Sequence, residues 1–204
     1  MPMVHGPLAI FLARHGETEW NRVGRWQGRT DIPLSDVGRA QARELGARLR
    51  GRGIAAVYTS DLARARETAE IVAAALGIAG LHVDERLRER GFGCFEGLTR
   101  EECADRHPEV WQRYLDDRRL TPPDAEPQAE VVARVVAAMT AVAQAADGSG
   151  PILVVSHGGA IRSFIHVTTG TVPPPLHNAA LYLATFEHDR FTSVEPDWYR
   201  QSQG

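Results

Sequence analysis

The clearest pattern along the chain is a set of short apolar runs that contain no alternating polar residues. They lie at 8–12, 54–58 and 152–155. Such runs are typical of strands buried on both faces of a sheet. Between them, apolar residues recur at helical spacing, as at Val131, Val135 and Met139. Strands that alternate with helices predict an α/β fold, a three-layer α/β/α sandwich with a mostly parallel central sheet.

Capping residues and glycines suggest where the predicted helices begin and end. Ser35 is suited to cap a helix over 36–49, and Ser60 to cap one that ends at Gly77. We expect the first helix to turn Val37 toward the interior. The remaining predicted elements are a strand near 81–83, helices over 130–145 and 158–169, and two edge strands near 178–186 and 190–194.

The stretch 99–127 differs from its surroundings, because it holds two short polar helices and then a proline-rich loop. We interpret it as a lid-like insertion within a single domain that spans 1–204. Four aromatic residues, two of them in this stretch, have two interpretations, packing in the core or lid or shaping a substrate pocket. They are Trp26, Phe92, Trp111 and Tyr114.

Composition narrows the classes of partner. The chain carries 23 basic and 26 acidic residues, a formal net charge of −3, so we expect no nucleic-acid partner. Two cysteines are too few for a disulfide framework and fit a reducing cytoplasm. Cys94 is expected to be a plain buried thiol. The first residues lack a basic stretch and a cleavage pattern, so neither a signal peptide nor a membrane span is expected.

Polar, ligand-binding residue types follow each of the three apolar runs. The segments are Arg14-His15-Gly16, Ser60-Asp61-Leu62-Ala63-Arg64 and Ser156-His157-Gly158-Gly159. Ligands of open parallel sheets bind beyond the carboxyl ends of strands, and helix N-termini favour anions. The sequence therefore predicts one anion pocket built from three separate strand ends.

The residue types in this pocket suit phosphoryl transfer. Arg14 and Arg64 offer forked donors to phosphate oxygens, and His157 offers another donor. His15 is a candidate nucleophile, provided that it is neutral and that a backbone carbonyl accepts from its other nitrogen. Because these side chains supply the positive charge, we expect no metal and no other cofactor.

A leaving alkoxide also needs a proton, and Glu89 is the best candidate to donate it. Glu89 lies in a glycine-rich stretch between two cations, Arg88 and Arg90. The same carboxylate can afterwards deprotonate the water that hydrolyses a phosphohistidine. By contrast, Arg66 and Arg162 are interpreted as structural, the latter as an ion-pair partner on its helix.

Five ordered blocks together resemble the histidine phosphatase superfamily, also called the phosphoglycerate mutase-like family, and specifically its phosphatase branch. The blocks are Arg14-His15-Gly16-Glu17-Thr18, Gln27-Gly28, Ser60-Asp61-Leu62-Ala63-Arg64-Ala65, Leu87-Arg88-Glu89 and Ser156-His157-Gly158-Gly159. The resemblance covers nearly the whole chain.

The resemblance implies a role for each matching residue. His15 would be the phosphorylated nucleophile and Glu89 the proton donor. Arg14, Arg64 and His157 would hold the phosphate. Further substrate contacts are implied at Asn21, Gln27, Gly28 and Gly159.

The chain departs from the family at Ala125-Glu126-Pro127, where many phosphatase members carry Gly-Glu-Ser. Whether Glu126 still faces substrate is therefore open. We expect a cytoplasmic phosphatase that acts on a small phosphorylated metabolite, without a nucleic-acid or membrane partner, and a homodimer is compatible with the sequence. The alternatives are a cofactor-dependent phosphoglycerate mutase and a non-catalytic domain that binds phosphorylated ligands.

Overall fold

The computed structural model describes residues 6–197. Its strands are β1 (Leu8–Arg14), β2 (Ala56–Thr59), β3 (His82–Val83), β4 (Ile152–Ser156), β5 (Leu181–Glu187) and β6 (Arg190–Pro196). They form one sheet in the order β3-β2-β4-β1-β5-β6. Strands β1 to β4 are mutually parallel, whereas β5 pairs antiparallel with β1 and β6 pairs antiparallel with β5. The predicted mostly parallel sheet is confirmed.

Helices cover both faces of this sheet. They are α1 (Glu19–Arg22), α2 (Asp36–Leu49), α3 (Ala63–Leu76), α4 (Arg100–Arg106), α5 (Pro108–Asp116), α6 (Gln128–Gln144) and α7 (Gly158–Thr169). Side chains alternate across a strand, so β1 sends Ile10 and Leu12 to the core under α6 and α7. Phe11 and Ala13 enter the core under α2 and α3. The predicted three-layer α/β/α arrangement is confirmed.

A third, smaller core lies under α4 and α5. Five aromatic side chains form it by tilted and edge-to-face contacts: Trp26, Phe92, Phe95, Trp111 and Tyr114. We call this set the aromatic cluster. Phe95 is fully buried there. Of the two interpretations of these aromatics, the structure therefore favours packing.

Two predictions about helix α2 and strand β5 were wrong. Val37 is 54% exposed, because α2 packs on α3 through the face that carries Gly46, which lies against Ala75. Strand β5 is not at an edge, because it pairs with β1 on one side and with β6 on the other. A short turn between β5 and β6 brings β6 back against the outer side of β5, so β6 takes the edge of the sheet.

Capping was predicted correctly for one helix and wrongly for another. Ser35 Oγ accepts from Gly38 N at 3.1 Å and caps α2 as expected. Ser60 does not cap α3, which begins after Leu62 without a side-chain cap. The Ser60 hydroxyl is part of the candidate active site instead. Within residues 6–197, every helix is too short or too polar to cross a lipid bilayer.

Candidate active site

The ends of β1, β4 and β2 meet at one edge of the sheet. β1 and β4 are parallel neighbours in which Arg14 lies opposite Ser156, so His15 and His157 leave the sheet at the same level. Their ring centroids are 5.1 Å apart. β2 lies on the other side of β4 and leads to Arg64 in the first turn of α3. The predicted convergence of three strand ends is confirmed.

His15 is held as a neutral imidazole. Its Nδ1 lies 2.6 Å from the carbonyl of Gly16, which can only accept, so Nδ1 carries the proton and Nε2 keeps a lone pair. Burial, reinforced by the charges of Arg14 and Arg64, holds the pKa of His15 well below its ordinary value. A ring with a free lone pair is what nucleophilic attack requires.

Arg64 is buried without a carboxylate partner among the described residues. Only 1% of it is exposed. Its fork donates to the carbonyls of Gly28 at 2.8 Å and Thr30 at 2.9 Å. Burial lowers the pKa of Arg64 to about 10, which leaves the guanidinium charged at neutral pH. A cation held by carbonyls keeps its charge available to an external anion.

Three buried nitrogens in this region have no hydrogen-bond partner among residues 6–197. They are the donors Arg14 Nε and Arg64 Nε, and the ring atom His157 Nδ1. Leaving a buried donor unpaired costs about 1–3 kcal/mol. Unpaired arginine donors beside His15 suit the equatorial oxygens of a phosphoryl group.

His157 is oriented by Ser60. Its Nε2 lies 2.9 Å from Ser60 Oγ, which leaves Nδ1 for the pocket. Ser60 Oγ also accepts from Leu62 N at 3.3 Å. Burial, followed by the charges of Arg64 and the neighbouring His15, holds the pKa of His157 well below its ordinary value. The sequence argument assigned Ser60 to capping and so missed this function.

Glu89 extends to the N-terminus of α7. Its two carboxylate oxygens accept from the backbone amides of Arg90 and Gly159, each at 2.8 Å. A Cβ at position 159 would lie 2.4 Å from Glu89 Oε1, so only glycine allows this approach. The Gly159 amide that we expected to serve the substrate thus binds Glu89 in this structure.

Two predicted substrate residues, Asn21 and Gln27, share the partner Thr18. Asn21 Oδ1 accepts from Thr18 N at 3.1 Å, and Gln27 Oε1 accepts from Thr18 Oγ1 at 3.0 Å. Their amide oxygens are therefore committed to the protein. Asn178, which the sequence did not single out, donates to Asn21 Oδ1 at 3.1 Å. Gly28 has a φ of +55° and contributes its carbonyl to Arg64.

Glu126 is not free to contact substrate in this structure. Its side chain is 8% exposed and pairs with Arg134 at 2.7 Å and Arg29 at 2.9 Å. Burial raises the pKa of Glu126, but hydrogen bonding and charge from Arg134, with the charge of Arg29, outweigh it and lower that pKa overall. The residue is an ion-paired anchor for its loop.

The interpretations of Arg66, Arg162 and Cys94 can also be compared with the structure. Arg66 pairs with Glu70 on the exposed side of α3, as a structural residue would. Arg162 donates to the carbonyl of Pro173 at 3.1 Å and forms no ion pair within the described chain, so that part of its prediction was wrong. Cys94 is half-buried and not buried as expected, and this partial burial raises the pKa of its thiol. In residues 6–197, no three His, Cys, Asp or Glu side chains are grouped as metal ligands.

Comparison with known proteins identifies a family and relatives that are similar to this chain. The model of the histidine phosphatase superfamily (branch 1) matches residues 10–198. A probable phosphoglycerate mutase GpmB of Salmonella arizonae is 40% identical over 94% of this chain and 87% of its own.

Solved structures are similar over nearly the whole chain. Bacillus stearothermophilus YhfR matches with a TM-score of 0.83 at 32% identity, covering 93% of this chain and 96% of its own. A mycobacterial glucosyl-3-phosphoglycerate phosphatase in complex with VO3 matches at 0.79 and 27% identity, covering 93% and 97%. A phosphoserine phosphatase variant from Entamoeba histolytica, in complex with phosphoserine, matches at 0.77 and 28%, covering 92% and 96%.

Proposed function

Because the chain belongs to the histidine phosphatase superfamily, we propose that it hydrolyses phosphate monoesters through a phosphohistidine on His15. One observation carries the proposal: a neutral His15 lies beside the unpaired buried donors Arg14 Nε and Arg64 Nε and the unpaired ring nitrogen His157 Nδ1. A phosphomonoester is close to dianionic at neutral pH and satisfies donors of this kind.

Hydrolysis takes place in two steps. In the first, His15 Nε2 attacks phosphorus and the bond to the ester oxygen breaks, while protonated Glu89 gives its proton to that leaving oxygen. In the second, Glu89 as a carboxylate takes a proton from water as the water oxygen attacks the phosphohistidine. The products are the alcohol, inorganic phosphate and the free imidazole.

We also propose the class of substrate, the role of 99–127 and the cellular compartment of the reaction. The substrate is a small phosphorylated metabolite, contacted by Asn21, Gln27 and Gly28, and 99–127 is a lid on a single domain. Arg14 and Arg64 supply the positive charge that a metal supplies elsewhere. The enzyme works in the cytoplasm, without a nucleic-acid or membrane partner.

Phosphoglycerate mutase activity is the second candidate. It is favoured by the 40% identity to the Salmonella arizonae protein, whose name describes a probable phosphoglycerate mutase. Hydrolysis is favoured by the similarity to two phosphatases, on glucosyl-3-phosphoglycerate and phosphoserine, over at least 92% of this chain. The stretch Arg90-Gly91-Phe92-Gly93 after Glu89 also resembles phosphatase members of the family. A non-catalytic binding domain would not need an intact nucleophile and acid.

Two assays on the purified protein separate these candidates. Phosphate release is measured from p-nitrophenyl phosphate and a panel of phosphorylated metabolites, and isomerisation of 3-phosphoglycerate is measured with 2,3-bisphosphoglycerate present. Hydrolysis predicts phosphate release in excess of isomerisation for at least one substrate. Isomerisation that greatly exceeds release would support the mutase instead.

The nucleophile is tested by substitution. We expect His15→Ala to lower phosphate release by about 10⁴-fold or more, because an attacking group is removed. His166→Ala changes an exposed histidine on α7 and is the matched control. Full activity of His15→Ala would contradict the mechanism, and loss of activity in EDTA would contradict its metal-free form.

A further inference from the structure

The segment that carries Glu89 has no regular secondary structure of its own. Residues 88–92 connect two short 3₁₀ turns, Glu85–Leu87 and Gly93–Phe95. Carbonyls in such a segment lack the partners that a helix or sheet would supply, so other donors must satisfy them. One side chain, Arg134 on α6, serves three of the carbonyls around this segment.

Arg134 contacts the backbone of the proposed proton donor and of two residues that precede it. Its Nη1 donates to the carbonyls of Arg86 at 2.8 Å and Arg88 at 2.6 Å, and its Nη2 donates to that of Glu89 at 3.0 Å. The side chain is 16% exposed. A planar fork that binds consecutive carbonyls fixes their orientation more firmly than a single hydrogen bond does.

The guanidinium is itself held by Glu126. Arg134 Nε and Nη2 donate to the two Glu126 oxygens at 2.7 and 2.8 Å. Glu126 also contacts the same segment directly, because its backbone amide donates to the Gly91 carbonyl at 2.9 Å. The pair therefore connects the end of 99–127 to the backbone around Glu89.

The carboxylate of Glu89 depends on that backbone. One oxygen accepts from the amide of Arg90, the next residue, and the other accepts from the amide of Gly159 on α7. A shift of 88–91 would move the first amide relative to the second and turn the carboxylate away. We propose that Arg134, clamped by Glu126, is a positioning residue that sets the direction in which Glu89 delivers its proton.

This inference rests on the proposed role of Glu89 as proton donor, and it predicts a selective defect. The hydrogen bonds of Arg134 run to Glu126 and to backbone carbonyls of 86–89. Substrate binding and attack by His15 should therefore survive the loss of the Arg134 side chain. p-Nitrophenolate is a weak base that leaves without help, whereas an alkoxide must be protonated. An alkyl phosphate should therefore suffer much more than p-nitrophenyl phosphate.

The experiment compares β-glycerol phosphate with p-nitrophenyl phosphate as substrates. For Arg134→Met we expect kcat on the alkyl ester to fall about 100-fold, the lower range for a lost general acid. We expect kcat on the aryl ester to fall less than about fivefold and both KM values to change little. Arg134→Lys, which keeps the charge but loses the fork, should recover part of the alkyl activity.

Two further variants identify the route of the effect. Arg25→Met removes a comparable arginine, which pairs with Glu102 and the Gly97 carbonyl away from Glu89, and should show no leaving-group dependence. In a Glu89→Gln background, Arg134→Met should lower alkyl activity by less than about threefold further, because residues acting as one unit are not additive.

Equal losses on both esters, or full additivity with Glu89→Gln, would overturn the proposal and leave Arg134 merely structural. A Glu89→Gln enzyme that shows no leaving-group dependence would instead remove the proposed role of Glu89. If Arg134→Met does not fold, Glu126→Gln weakens the same clamp and should give the same selectivity at about tenfold. Absence of selectivity in that variant also overturns the proposal.

Discussion

The candidate active-site pocket and the aromatic cluster are both buried, yet they bury opposite kinds of side chain. In the pocket, His15, Arg64 and His157 are at most 3% exposed, and three side-chain nitrogens there, two of them arginine donors, lack partners within residues 6–197. In the cluster, Phe95 and Trp111 contact each other edge to face, with their ring centroids 5.4 Å apart. Burial therefore stabilises one region and raises the free energy of the other. A ligand that pairs the donors offsets that cost, which makes the pocket a binding site.

Among the variants that test this comparison, the largest effect should come from Arg64→Met, which removes the proposed phosphate-binding cation from the pocket. We expect kcat/KM for phosphate esters to fall about 10³-fold, as for other arginines that stabilise phosphoryl transfer. Orthovanadate should raise the Tm of the wild type but not of this variant, because ligand stabilisation requires binding to the folded state. A variant that vanadate still stabilises would break the comparison.

The second effect belongs to the aromatic cluster. Phe95→Ala should lower the free energy of unfolding by about 3 kcal/mol, since a fully buried aromatic side chain leaves a cavity. Below its Tm, the variant should keep kcat on p-nitrophenyl phosphate within a few-fold. Leu115→Ala, at a side chain that is 40% exposed, is the control and should be nearly neutral. Denaturant unfolding followed by the rate assay separates the two quantities.

The third effect is a dependence of stability on pH that arises in the pocket alone. His15 and His157 have pKa values well below the ordinary 6.5, first because they are buried and then because of nearby arginines. Below about pH 6.5 the unfolded chain takes up protons that the folded pocket rejects. The free energy of unfolding should therefore decrease as the pH falls, by at most about 1.4 kcal/mol per unit for each histidine.

Thermal unfolding between pH 7 and pH 5 measures that slope. The double variant His15→Asn with His157→Gln should flatten it, whereas His166→Gln, at an exposed histidine, should leave it unchanged. An unchanged slope in the double variant would show that other groups cause the dependence.

The smallest effect tests the edge of the aromatic cluster. Thr99 caps α4 in a capping box, in which its hydroxyl accepts from Glu102 N at 3.2 Å and Glu102 accepts from Thr99 N. Thr99→Ala should cost about 1 kcal/mol of unfolding free energy. Turnover of p-nitrophenyl phosphate should not change, and a change larger than twofold would show that the cluster communicates with the pocket.

Much of the fold could be predicted because it depends on local patterns. The apolar runs at 8–12 and 152–155 identified two central strands, and Ser35 identified the start of α2. The place of β5 was not predictable in this way, because pairing partners are long-range choices that a run of apolar residues does not specify. The exposure of Val37 was not predictable for the same reason, since the close approach of α2 to α3 selects which face of α2 is buried.

The residues of the pocket were likewise only partly predictable from the sequence. The residues that follow the strands were found from the sequence, because strand ends of a parallel sheet share one edge. Ser60 and Arg134 were missed, because their hydrogen bonds reach residues far away in the chain. For Arg134 the available signal was a basic residue beside the apolar stripe of α6, a feature shared by many surface helices.

The neighbouring positions of β1 and β4 have a consequence during synthesis of the protein. Arg14, His15, Arg64 and Glu89 all leave the ribosome before Ile152 is made, yet β1 has no parallel neighbour until β4 follows it. β2 likewise pairs with β4 and is separated from β1 by it. A nascent chain therefore carries His15 without the strand that aligns it. The strand ends of the candidate site can meet only after β4 is made, so we expect products truncated before β4 to lack the assembled pocket.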